Sequence, residues 1–196
     1  VYCLAEYLFK RANYKDNCFF FYANFHIWKE KPDYPMDFSG LLVLYCREHN
    51  GVFSRSEAED YLKDLGAGTP APTLSNILYR TGWNSFLQYE ENRFVLCESL
   101  NINNDFLASL RNQIELLLED EDYVSFGDIS EYFYSTLPQL PAGVVWGPLL
   151  LESIVVRYDI GYKAIYAGDS DLKTIPAALA KKNSAFRAFG DIVWNE

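Results

Sequence analysis

Few residues of this chain have types and spacings that could do chemistry. Cys46 and His49 stand three apart, a spacing that on a helix sets thiol and imidazole side by side. They could offer two ligands to a soft metal, or a thiol with a base beside it. Zinc takes four ligands, or three and a water, and the only other histidine is His26. A Cys–His nucleophile also needs the side chains in contact and a third group to orient the base; the spacing permits contact, but nothing in the sequence supplies a pocket. Glu57, Glu59 and Asp60, and the run Glu119-Asp120-Glu121-Asp122, are carboxylate clusters that could hold magnesium. Adjacent carboxylates on one helix point apart, however, and a charge run at a helix end reads as solvated surface. Gly66-Ala67-Gly68-Thr69-Pro70 has two glycines but no following lysine, and it succeeds a helical pattern where a phosphate loop succeeds a strand. No set amounts to a catalytic site. The chain is read as a non-enzyme with no metal and no cofactor.

The totals bound what positions these residues. Of 196 residues, 49% are apolar and 17% aromatic, which excludes a disordered chain. No apolar run approaches the roughly 18 residues of a membrane span, so no membrane partner is expected. Cys3, Cys18, Cys46 and Cys97 are scattered among apolar neighbours with no C-x-x-C pair. They read as reduced thiols of an intracellular protein, cytoplasmic or nuclear. The sequence starts with Val1, not Met, and Val1–Leu8 already reads as apolar helix, so a piece of a longer protein is expected in preference to a trimmed start. Val1–Leu8 lacks the basic start of a signal peptide. The net charge is −10, and it is concentrated: residues 101–171 carry 12 acidic and 3 basic side chains.

Val1–Tyr14 reads as helix, and the aromatic stretch Phe19–Trp28 leans to helix because Phe21, Phe25 and Trp28 share a helical face. Lys31-Pro32-Asp33-Tyr34-Pro35 then breaks the chain. Phe38–His49 reads as a helix ended by Asn50-Gly51, followed by a short extended step at Val52-Phe53. Ser54 with Glu57 is a capping box for a second helix, which ends at Gly66. Pro72 opens a third helix. Phe86–Tyr89 and Arg93–Cys97 read as a hairpin around Glu90-Glu91-Asn92. The order then recurs. Phe106–Leu118 is helical, Tyr123-Val124 is the step, Ser125 with Asp128 is the expected cap, and Ile129, Tyr132 and Phe133 mark the second helix. Trp146–Tyr158 is the third helix and Tyr162–Tyr166 a strand. Ile175–Phe189 reads as helix.

This order resembles the winged helix-turn-helix superfamily, in tandem. The resemblance implies an α+β, mainly α fold: an N-terminal aromatic helical segment (1–36), a first winged-helix-like module with a small β-hairpin wing (37–100), and a second with a basic C-terminal tail (101–196). In DNA-binding members the third helix enters the major groove. The resemblance then places Thr73, Asn76, Tyr79 and Arg80 of the first module, and Glu152, Ser153 and Arg157 of the second, on the exposed reading face. Lys181, Lys182 and Arg187 of the tail could add phosphate contacts. The acidic balance and the two glutamates at the wing tip oppose this, because phosphate binding draws its affinity from several cations. Acidic tandem modules resemble more closely those that assemble with other proteins. The reading is therefore a protein-interaction adaptor or scaffold domain with a protein partner, a basic one fitting best. Its expected contact residues are Phe21, Phe25 and Trp28, and the run Glu119, Asp120, Glu121 and Asp122. A DNA- or RNA-binding module, disfavoured by charge, is the alternative.

Overall fold

The computed structural model describes residues 20–21, 27–28, 38–64, 71–79, 85–119, 121–167, 176–187 and 190–191. It is an α+β, mainly helical structure in which one succession of elements occurs twice. The first unit comprises α1 (Phe38–Glu48), β3 (Val52–Ser54), α2 (Arg55–Asp64), α3 (Ala71–Tyr79), β4 (Phe86–Glu90) and β5 (Arg93–Leu96). The second comprises α4 (Asn104–Leu118), β6 (Tyr123–Ser125), α5 (Glu131–Thr136), α6 (Pro148–Tyr158), β7 (Tyr162–Tyr166) and β8 (Pro176–Lys181). Each builds an antiparallel three-stranded sheet with its last strand in the centre: β3-β5-β4 and β6-β8-β7. Both hairpins carry a register shift, between Gln88 and Glu90 and between Ile165 and Tyr166.

Local chemistry explains most boundaries of the first unit. After α1 the chain reverses through Asn50 (φ 59°) and Gly51 (φ 79°). A Cβ on Gly51 would lie 2.1 Å from the Ser99 hydroxyl, so only glycine fits. The capping box forms reciprocally. The Ser54 N–H donates to Glu57 Oε2 at 2.6 Å, and the Glu57 N–H donates to Ser54 Oγ at 3.2 Å. Hydrogen bonds to the carboxylate, first from the Ser54 backbone N–H and then from the Ser54 hydroxyl, hold Glu57 below its ordinary pKa. Phe53, Phe86, Phe94 and Leu96 fill the core beneath the sheet with Leu41, Leu42 and Leu62.

Three expectations are corrected. The aromatic segment is not helical where it is described: β1 (Phe20–Phe21) and β2 (Ile27–Trp28) pair antiparallel, Phe20 opposite Trp28. Aromatic residues suit a pleated ladder as well as a helical face, and here the ladder wins. The expected helix Val1–Tyr14 lies outside the described residues. Second, Ser125 does not cap α5. Its hydroxyl accepts the Gly127 N–H in a turn, and Ser130 is the cap, accepting the Phe133 N–H at 3.3 Å. Third, Pro176–Lys181 is a strand where a helix is expected. The alanines favour helix, but the segment bonds β6 on one side and β7 on the other, and that pairing overrides local preference. Pro176 sits at the first strand position, where its missing N–H costs least.

The two units share one core. Leu87, Tyr89 and Val95 of the first sheet lie in the same buried cluster as Leu150, Leu151, Ile154 and Val155 of α6, Leu110 and Ile114 of α4, and Leu179 of β8. Helix α6 is thus sandwiched between the first sheet and its own.

Candidate interaction surfaces

Helix α6 begins at Pro148, a position that tolerates the missing N–H. It ends where Asp159 takes a left-handed conformation (φ 48°). Between them Leu150 through Val155 are all buried. The exposure expected for Glu152 and Ser153 is therefore overturned: they are 7% and 0% exposed. The helix is apolar nearly all round, and its middle, Leu150 through Val155, is buried on every side. Half-buried Arg157 holds its guanidinium 5.8 Å from the Tyr158 ring centroid.

At the seam, the Tyr166 hydroxyl donates to Glu152 Oε1. The Ser153 hydroxyl lies 3.2 Å from Glu152 Oε2 and 3.3 Å from the Gln88 carbonyl oxygen, its single proton serving one at a time. A buried carboxylate survives only with such donors. Burial, and then the Glu152 charge, push the Tyr166 hydroxyl far above its ordinary pKa. Sequence reasoning missed this cluster. Its one signal is a glutamate and a serine inside the apolar run Leu149–Val156.

The first unit's third helix differs. In α3, Asn76 is exposed and Ser75 accepts a hydrogen bond from Arg55 Nη1 at 3.2 Å. The side chains of Thr73 and Tyr79 and the whole of Arg80 lie outside the described residues, as do Phe25, Asp120 and the side chains of Phe21 and Trp28. At the hairpin tip Arg93 reaches Glu90 at 3.7 Å.

The acidic run and the basic tail meet. Lys181, at the end of the central strand, donates to the Glu119 carbonyl at 3.4 Å and stands 3.9 Å from the Asp122 carboxylate. Lys182 grips Asp159 at 2.6 Å. Glu119, Glu121 and Asp122 are exposed. Beside them runs an open groove of about 560 Å³, lined by Arg111, Glu115, Glu119, Tyr162, Lys181 and Lys182 among others. Arg187 is exposed, and its backbone N–H donates to Asp191 at 2.7 Å. This surface alternates in sign. It can exchange ion pairs with a partner of mixed or positive charge, but among the described residues it offers no run of unopposed cations to a phosphate backbone. Leu116, Val145 and Tyr132 (78% exposed) on the same unit are exposed large apolar side chains that sequence reasoning passed over.

The Cys46–His49 pair is not assembled. Cys46 is fully buried, and burial raises its thiol far above the ordinary range. His49 instead stacks on Tyr45 (centroids 4.0 Å apart), with Nδ1 2.8 Å from the Tyr45 carbonyl. Burial pushes the Cys97 thiol up to about 11. Among the described residues no three His, Cys, Asp or Glu side chains gather as a metal site, and no helix is long and apolar enough to cross a membrane. No family model, curated protein or solved structure matches this chain.

Proposed function

We propose that the chain is a non-catalytic binding module, an adaptor or scaffold domain of a larger intracellular protein or complex, built from two winged-helix units. The winged-helix reading is supported by the helix–strand–helix–helix–strand–strand order and by the central position of the last strand in each sheet. One observation carries the functional reading: α6, the helix that would read a groove in the second unit, is buried between two sheets. The pairing of Lys181 and Lys182 with neighbouring carboxylates points the same way. The partner is a protein whose basic side chains meet Glu119, Glu121 and Asp122, with charge speeding encounter and exposed apolar residues supplying affinity.

Fluorescence anisotropy tests this. The chain is titrated into labelled duplex DNA and, separately, into a labelled lysine-rich peptide, at about 50 and about 200 mM salt. The expected result is no DNA binding at the lower salt, and peptide binding that Glu119→Lys/Glu121→Lys/Asp122→Lys abolishes. Duplex binding that collapses with salt and is lost in Arg80→Glu/Lys181→Glu would overturn the proposal in favour of the nucleic-acid reading.

A further inference from the structure

The repetition allows residue-by-residue comparison of the two sheets. Val52, Val95 and Leu87 form a cross-strand row on the first sheet. Tyr123, Ala180 and Lys163 form the equivalent row on the second, because each row joins the opening residue of the unit's first strand to its partners on the other two. In the first unit this face is covered from outside by the next unit, with Val95 and Leu87 in the cluster that includes the aliphatic residues of α6. In the second unit Ile165, Ala178 and Ala180 on that face are just as buried, but they form a separate cluster against which Tyr123 and Phe186 pack.

We propose that the outer face of the second sheet is a docking face for an apolar helix, held closed by residues 182–187 of the chain itself. After β8 the chain turns back, with the Ser184 N–H donating to the Lys181 carbonyl at 3.0 Å. The Phe186 ring lies 4.7 Å from that of Tyr123, and Lys163 Nζ donates to the Ser184 carbonyl at 3.0 Å. The strap fits its seat imperfectly, because the buried Ser184 hydroxyl has no hydrogen-bond partner, and an orphaned buried hydroxyl carries a desolvation penalty. The occupant is argued from the equivalent face. There the cover is a helix whose aliphatic side chains recur at helical spacing (Leu150, Leu151, Ile154) and whose small Ser153 lets it approach the strand. The second face has alanines at its centre, so a helix can approach as closely. Lys163, released from Ser184, would take a carboxylate or the carbonyl end of the incoming helix. The inference does not depend on the acidic surface: Lys182, at the start of the strap, lines that groove, but Ser184 and Phe186, which meet the sheet face, do not.

The test uses a labelled peptide spanning Gly147–Asp159, the α6 sequence, titrated into the full chain and into Phe186→Ala and Lys163→Met. Phe186→Ala removes the ring that seats the strap, and Lys163→Met cuts its side-chain tether while leaving the face apolar. Either opens the face, and affinity rises with the fraction of molecules that are open, so at least about tenfold tighter binding than by the parent chain is expected. Amide shifts on binding should map to β8 and not to β4. Reversing Glu119, Glu121 and Asp122 should leave this binding unchanged, which separates it from the acidic-surface proposal. Equal affinity for parent and folded variants, no binding by folded variants, or shifts at β4 would each overturn it. Lys163→Met keeps the test decisive if Phe186→Ala fails to fold.

Discussion

The hydroxyl of Ser153 lies 3.3 Å from the carbonyl oxygen of Gln88, across 65 positions of sequence. It ties the helix at the centre of the second unit to the edge strand of the first. Around that polar tie the seam is aliphatic, so neither unit can bury its share of the core without the other.

Ile154→Ala should therefore destabilise both units together. Truncating a fully buried isoleucine in a shared core costs about 2–5 kcal/mol. Urea unfolding followed by tryptophan fluorescence and by far-UV circular dichroism should give one coincident transition at lower urea for the variant. A first transition confined to one probe would show that the seam does not couple the units.

Gly51→Ala tests the turn after α1. The left-handed backbone and the approach of Ser99 both oppose a methyl group, and the substitution should lower stability by at least about 1 kcal/mol. Pairing it with Ser99→Gly relieves the clash but not the backbone strain, so part of the loss should return. Full recovery would mean that backbone conformation contributes nothing there.

Removing the capping box is the gentler counterpart. Ser54→Ala should cost about 1 kcal/mol near neutral pH. Because the Glu57 carboxyl is held down in the folded state, its contribution is present above the unfolded value of 4.5 and lost as pH falls through the folded one. The penalty of Glu57→Gln should accordingly shrink in acid. A penalty independent of pH would show that the charge is not what Ser54 recognises.

Stability should fall on the alkaline side. Burial raises Tyr134 from 10.0 to about 12, and Cys97 from 9.0 to about 11. A group whose folded pKa is raised keeps its proton in the fold after the unfolded chain has released it. Its stabilisation is then complete below the unfolded value and drains away as pH rises through the folded one. The urea midpoint should decline from about pH 9 upward, and Tyr134→Phe should flatten the decline between about pH 10 and 12. A midpoint unchanged across that range would refute the burial of these groups.

The first unit was largely legible because its signals are local. Asn50-Gly51 stops a helix, Ser54 and Glu57 start one, and the polar tip at Glu90–Asn92 folds a hairpin whatever surrounds them. The strand Pro176–Lys181 was not legible, since an alanine-rich segment reads as helix until two flanking strands claim its backbone. Nor was the burial of Glu152 and Ser153 legible: a periodicity argument assigns an exposed face to any helix, and the first sheet covers that face of α6 at these two residues. The acidic run Glu119–Asp122 is visible in sequence. Its partial neutralisation by Lys181 is not, because the pairing of Lys181 with Asp122 is fixed only by the central strand.

One helix wedged between two sheets has a mechanical consequence. Interfaces between domains permit relative motion unless they are large and apolar, and here the two units share one apolar core. On the proposed adaptor reading, the chain would act as a bracket of set angle. A ligand on the α3 side of the first unit and another on the carboxylate end of the second would be held at a constant separation. The second binding event would be governed by that geometry, as a stiff spacer governs effective concentration, and not by the excursions of a linker.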